Sequence, residues 1–280
     1  MAIGSIAARK VLSGLFALPL VVVACGGGQP QTGAAPTAPP GGMMPLPDWA
    51  KAMKVTIQSP SPGAKVTANQ VPLKVSFSGF QSTCDLAGTK DVKGFGHYHV
   101  LIDKSLVDMY CTPDTTVSMQ NLKPGNHEIA VVPALNDHAE VEDNASTVTV
   151  DYEPGQAPPA IAPATFGGPP SIKIISPAAG STVSGPFDVA VQVSNFNVTC
   201  DLEGKPDVSG YGHWHVNADT TSGPMMGMMT MLRMSCGNVM HLSARGMTPG
   251  KHTLIAFLAD NQHAPLNPMV QDQVVVNVSR

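Results

Sequence analysis

Aromatic and charged side chains are both scarce. Phe, Tyr and Trp make up 5% of the chain, and Asp, Glu, Lys and Arg together only 13%. With so few rings, a core must be filled largely by aliphatic side chains and methionine. Lys and Arg number 16 against 20 Asp and Glu, a formal charge of −4. No basic patch stands out, so nucleic-acid binding has no support. The chain also lacks GxSxG, a Walker loop, a dinucleotide fingerprint and HExxH, which leaves no motif-based argument for an enzyme. No stretch keeps a helical period over a useful length.

Long apolar runs are missing too, except near the start. Arg9 and Lys10 precede an apolar run from Val11 to Ala24, broken by Ser13, Gly14 and Pro19. That length suits the h-region of a signal peptide better than a membrane span. Val22, Val23 and Ala24 lead into Cys25 and Gly26, which resembles the lipobox of bacterial lipoproteins. The resemblance implies cleavage before Cys25 and a diacylglyceryl group on its thiol, so residues 1–24 are expected to be removed. Removal of Arg9 and Lys10 would take the formal charge to −6. Residues 25–47 then form a Pro/Gly/Ala tether unable to bury enough apolar surface to order itself. The expected location is the extracytoplasmic face of the envelope, at the outer membrane or cell surface. The membrane is reached through the lipid anchor.

The chain is written twice. Residues 91–100, DVKGFGHYHV, return at 207–216 as DVSGYGHWHV. Thr83 to Leu86 (TCDL) returns at 199–202, PGNH at 124–127 returns as PGKH at 249–252, and NDH at 136–138 returns as NQH at 261–263. The offset is 116 before the HxH element and 125 after it, so the second copy gains nine residues in a Met-rich stretch. The copies span 48–152 and 171–280, with a linker at 153–170. Val71, Leu73, Val75 and Phe77, like Phe187, Val189, Val191 and Val193, alternate with mostly polar neighbours, the period of a half-buried strand. Further strands are expected at 54–58, 97–103, 127–135 and 146–152, and at 172–176, 213–219, 252–259 and 273–278. Short strands at this spacing suggest two tandem immunoglobulin-like β-sandwiches, with a jelly roll or cupredoxin-like barrel as the rival.

Beyond Cys25 each copy holds two cysteines, Cys84 and Cys111, then Cys200 and Cys236. Even pairs in an exported domain favour disulfides, and metal thiolates are the alternative. Histidine carries the sharper signal. On a strand, residues i and i+2 share a face. His97 and His99, with Leu101 and Asp103, would lie opposite Tyr98, Val100 and Ile102. His213 and His215, with Asn217 and Asp219, would lie opposite Trp214, Val216 and Ala218. Such pairs, with a carboxylate further along, occur at zinc and copper sites. His138 and His263 follow the next strand, and His241 is present only in the second copy; all three are candidate ligands. His127 and His252, after Pro-Gly turns, look like structural corners. Met225, Met226, Met228, Met229, Met231 and Met234 are soft donors suited to Cu(I), or the packing lid of an adaptable surface.

The second copy is similar, at GHWHVNAD (212–219), Met240-His241-Leu242 and PGKHTLIAFLADNQHAP (249–265), to a family of exported bacterial domains of unknown function. That family's motifs run roughly GHHHLLID, HF and PGKHTLQLxLxDxxHxP. The resemblance implies a β-rich extracytoplasmic domain and no reaction. Trp214 and Leu266 stand where the family often has His, and the first copy matches weakly. Two functions follow: a metal-binding lipoprotein, copper before zinc, or a non-enzymatic surface module acting as a spacer or binding a protein or glycan.

Overall fold

The computed structural model describes residues 45–280, so the expected signal peptide, Cys25 and most of the tether lie outside the described residues. Among the described residues no helix is long and apolar enough to cross a membrane. Within 45–280 the chain forms two β-sandwiches and three short 3-10 turns. Repeat 1 contains β1 (Lys54–Ser59), β2 (Ala64–Val66), β3 (Gln70–Ser78), β4 (Gln81–Ser82) and β5 (Phe95–Ile102). It continues with β6 (Ser105–Tyr110), β7 (Asp114–Ser118), β8 (Gly125–Ala134) and β9 (Ser146–Tyr152). Repeat 2 runs through β10 (Ser171–Ser176), β11 (Thr182–Val183), β12 (Pro186–Ser194), β13 (Asn197–Val198) and β14 (Tyr211–Ala218). Then come β15 (Met231–Ser235), β16 (Val239–Ser243), β17 (Gly250–Ala259) and β18 (Gln271–Val278).

In repeat 1 a three-stranded sheet, β1-β3-β7, faces a larger one ordered β2-β9-β8-β5-β4, with β6 also paired to β5. Repeat 2 repeats this as β10-β12-β16 against β11-β18-β17-β14-β13, with β15 on β14. The first edge strand of each copy therefore splits, its second piece joining the other sheet in parallel to the last strand. This is the two-sheet architecture expected of immunoglobulin-like domains.

The strand pattern sets which residues meet between the sheets. Along β3 burial alternates strictly from Gln70 to Val75, placing Val71, Leu73 and Val75 inside. Tyr98, Val100 and Ile102 of β5 enter the same core, and Trp214 and Val216 of β14 enter the second. Each large ring buries its polar end with a partner. Tyr98 donates to the Thr112 carbonyl at 2.9 Å and the Trp214 indole to Gly237 at 2.7 Å. Both disulfides form, Cys84–Cys111 and Cys200–Cys236.

Because β5 and β14 send alternate residues inward, His97, His99, His213 and His215 stand on the outer faces of the larger sheets. They are nevertheless fully buried, at 0–2% exposure. What covers them is the other repeat. Ala87 and Met109 of repeat 1 pack with Met231 and Met234 of repeat 2. The linker carries no strand, yet it is held: Gln120 donates to the Pro159 carbonyl, Asn121 pairs with Ile161, and the Ala164 amide donates to Ser209.

Candidate metal centres

Three imidazoles converge in repeat 1. His97 and His99 come from alternate positions of β5, on the outer face of the larger sheet. His138 arrives from the loop after β8, in a left-handed conformation with φ of 67°. His97 Nε2 lies 3.2 Å from His99 Nε2 and 3.1 Å from His138 Nδ1, and the latter two atoms are 3.3 Å apart. The atoms form a nearly equilateral triangle. An ion bound to three nitrogens at 2.0–2.1 Å with tetrahedral angles would hold them about 3.3–3.4 Å apart. The spacing fits such an ion with its fourth position open.

The outer nitrogen of His99, Nδ1, faces Glu140 Oε1 at 2.5 Å, and that of His138, Nε2, donates to the Met231 carbonyl at 2.7 Å. Each neutral ring carries one N–H. With both protons directed outward, His99 Nε2 and His138 Nδ1 turn bare lone pairs toward each other. His97 has one proton to offer between them, so one lone-pair contact stays unscreened. Adding protons is opposed by burial, which holds His97 well below the usual imidazole range and His138 down to about 3. Neighbouring rings act in the same direction. A cation without a proton's competition for outer partners resolves the contact. The carboxylate on His99 and the carbonyl on His138 are the outer acceptors that commonly orient metal-bound imidazoles.

Repeat 2 builds the same triad from His213, His215 and His263, whose donor atoms lie within 4.8 Å of one another. His213 Nε2 and His215 Nε2 are 2.8 Å apart, and His263 Nε2 donates to the Leu106 carbonyl at 2.9 Å. Its Nδ1 has no hydrogen-bond partner. Burial lowers all three rings, His263 to about 4. The position matching Glu140 is Pro265, so this site has no such carboxylate; Glu203 instead lies 3.9 Å from His213 Nδ1. Burial, followed by Asp108 nearby, pushes the Glu203 carboxyl well up, favouring its neutral form.

Several expected ligands are placed elsewhere. His241 does not join the triad: it lies on β16 in the smaller sheet, exposed, with Nδ1 2.5 Å from Asp188 Oδ1. The expected strand carboxylates also turn away. Asp103 and Asp219 leave their strands with φ of 49° and 65°. Asp103 accepts from His127 at 2.6 Å and from the Glu128 amide, while Asp219 does the same with His252 at 2.7 Å and Thr253. His127 and His252 are thus corner braces. The disulfides take up the sulfur of all four repeat cysteines, so the grouping of Cys200, Glu203 and Cys236 offers no thiolate.

The nine extra residues replace the two-residue turn between β5 and β6. They include a 3-10 turn, Pro224–Thr230. Asn217, which stands where repeat 1 has Leu101, donates to the Gly227 carbonyl at 2.7 Å and to Thr230 at 3.0 Å, tying this segment to the HxH strand. Met228 and Met231 line a narrow pocket with His215 and His263. Met231 and Met234 are buried between the repeats and Met229 is half-buried. The side chains of Met225 and Met226 lie outside the described residues. Glu140 had no signature in the sequence, since Pro265 stands at its matching position, and the two main-chain carbonyls had none because every residue type carries one.

No family model matches the chain, and no curated protein matches it. Among solved structures it is similar to the fibronectin(III)-like modules of Clostridium thermocellum CbhA, at 13% identity over 80% of this chain and 94% of that one, TM-score 0.25. It is also similar to a putative membrane anchored protein from Corynebacterium diphtheriae, at 10% identity over 81% and 59%, TM-score 0.22. An endo-β-1,4-mannanase from Thermotoga petrophila matches at 12% over 41% and 21%, TM-score 0.26. The chain spans less than two thirds of the length of the last two. The fold defines a tandem β-sandwich protein, and each sandwich carries a histidine triad able to hold a metal ion.

Proposed function

We propose that this chain is a lipid-anchored extracytoplasmic protein whose two repeats each bind one transition-metal ion, with copper as the favoured ion. One observation carries the metal reading: three buried imidazole nitrogens stand within 3.1–3.3 Å of one another. Copper is supported by the imidazole donors and by Met228 and Met231 beside the second triad, since thioethers suit Cu(I). Zinc fits the nitrogen donors alone. The lipobox-like Cys25 and the two disulfides support an oxidising location outside the cytoplasm. No catalytic role is part of this reading.

Membranes of copper-grown and zinc-grown cells, extracted with detergent, provide the test. Native mass spectrometry of the purified chain should show two ions per molecule. Replacing His97 and His99 by Ala should remove one, and adding His213→Ala with His215→Ala the other. The Cys25→Ser chain should leave the membrane fraction. A wild-type chain that stays metal-free with either metal would leave the surface module as the better account.

A further inference from the structure

The two triads are linked by an exchange between the repeats. His138 of repeat 1 donates from Nε2 to the carbonyl of Met231 in repeat 2, and His263 of repeat 2 donates from Nε2 to the carbonyl of Leu106 in repeat 1. Leu106 and Met231 are matching positions at the offset of 125, as are His138 and His263. The contact is therefore isologous: the same pair of groups is used twice across an approximate two-fold axis.

The acceptors come from β6 and β15, which pair on one side only, with β5 and β14. Such edge strands carry main-chain groups that the sheet leaves unused. Space for them is built in. A Cβ on Gly88 would stand 2.5 Å from the Met231 oxygen and one on Gly204 2.8 Å from the Leu106 oxygen. Both glycines have positive φ, 70° and 71°, which disfavours any other residue there. The influence of the interface also reaches the rings: His138 adds to the lowering of His215, and His99 to that of His263.

We propose that neither triad is complete within its own repeat, because a main-chain carbonyl of the other repeat holds its third imidazole as the Nε2–H tautomer. This rests on the metal reading above. The physical step is simple. A neutral imidazole has one proton, so fixing it on Nε2 leaves Nδ1 as the lone pair aimed into the triad. Without the carbonyl, Nε2–H would be a buried donor with no acceptor, and the Nδ1–H form, which cannot ligate through Nδ1, would compete. The tandem pair is then the smallest unit competent for metal, and Leu106 and Met231 act as positioning residues through their main chain.

Two measurements on the intact chain test this. Long-range proton–nitrogen correlation spectra of the metal-free protein should show His138 and His263 as Nε2–H tautomers, with those protons protected from solvent exchange. Second, a wedge can part the repeats without touching either triad. Gly246 of repeat 2 abuts the side chain of Thr89 in repeat 1. Gly246→Trp should lower metal affinity at both sites about 10–100-fold, the usual effect of losing an outer partner of a ligating histidine. Thr89→Gly in the same chain should recover part of it. Nδ1–H or interconverting tautomers in the wild type would overturn the proposal. So would a wedge variant whose repeats have separated in scattering profiles yet bind both ions as tightly as the parent. Nε2–H tautomers in a chain that binds no metal would instead count against the metal reading and leave the tautomer exchange standing.

Discussion

Acid should act on the metal-free protein through its triads, and replacing single imidazoles makes the effect measurable. Burial holds His138 down to about 3 and His263 to about 4, while an unfolded imidazole titrates near 6.5. The folded values are depressed, so above pH 6.5 neither state takes a proton and these rings contribute nothing. Below it the unfolded chain gains protons that the folded chain refuses, and stability falls until the folded values are reached. Between pH 7 and pH 5 each ring costs about 1.9 kcal/mol at 1.36 kcal/mol per pKa unit. Buried carboxyls work the other way. Burial also pushes the Asp108 carboxyl up, so the folded state takes its proton first and acidification there stabilises. Glu203 adds to that side. The total curve is therefore a partial cancellation, and the difference between wild type and variant is the quantity to measure. His138→Gln and His263→Gln should each gain about 1.9 kcal/mol on the wild type between pH 7 and 5, and about 4 kcal/mol together if the sites are independent. Urea unfolding with chelator present can be followed by the fluorescence of Trp49 and Trp214, the chain's two tryptophans, one in each repeat. A variant that differs from wild type by the same amount at both pH values would refute the claim that burial keeps these rings neutral.

Two further outcomes are expected. Cys84 and Cys111 are 27 residues apart, so replacing both by Ser should cost about 3.6 kcal/mol in chain entropy, read as a lowered urea midpoint with unchanged binding of metal in repeat 2. Glu140→Gln should weaken metal binding about 10–100-fold in repeat 1 alone, measured by chelator competition, because only that triad has a carboxylate on its second histidine.

The larger part of the fold was legible in the sequence because one face of most strands meets a core and the other meets water. All ten strands expected from the sequence are present within a residue or two. β6 and β15 were not, and their surroundings explain why. In β6, Val107 enters the sandwich core while Met109 packs between the repeats, and in β15 Leu232 and Met231 divide in the same way. A strand covered on both faces loses its period of two. The Met-rich stretch owes much of its composition to this: Met231 and Met234 are interface side chains. The histidines of the HxH elements were readable from strand parity, and His138 and His263 from the repeat. His241, a candidate as the histidine present only in the second copy, lies on β16, which pairs with β12, away from the triad. The acceptors that fix ring tautomers could not be read at all, since two of them are main-chain oxygens supplied from the other half of the chain.

The differences between the copies also cluster around the triads. Repeat 1 has Glu140 on His99, a Leu at 101 and a two-residue turn; repeat 2 has Pro265, Asn217 and an inserted segment bearing methionines. Under the metal reading these changes alter charge and softness together. An anionic partner on a ligating imidazole offsets part of the charge of a divalent ion, so the first site suits Zn(II) or Cu(II). The second trades that carboxylate for neighbouring thioethers, which favours a softer, singly charged ion such as Cu(I). The carbonyl exchange, by contrast, is kept in both copies. The shared element holds the third ring in place, and the variable elements around it set which ion each triad prefers.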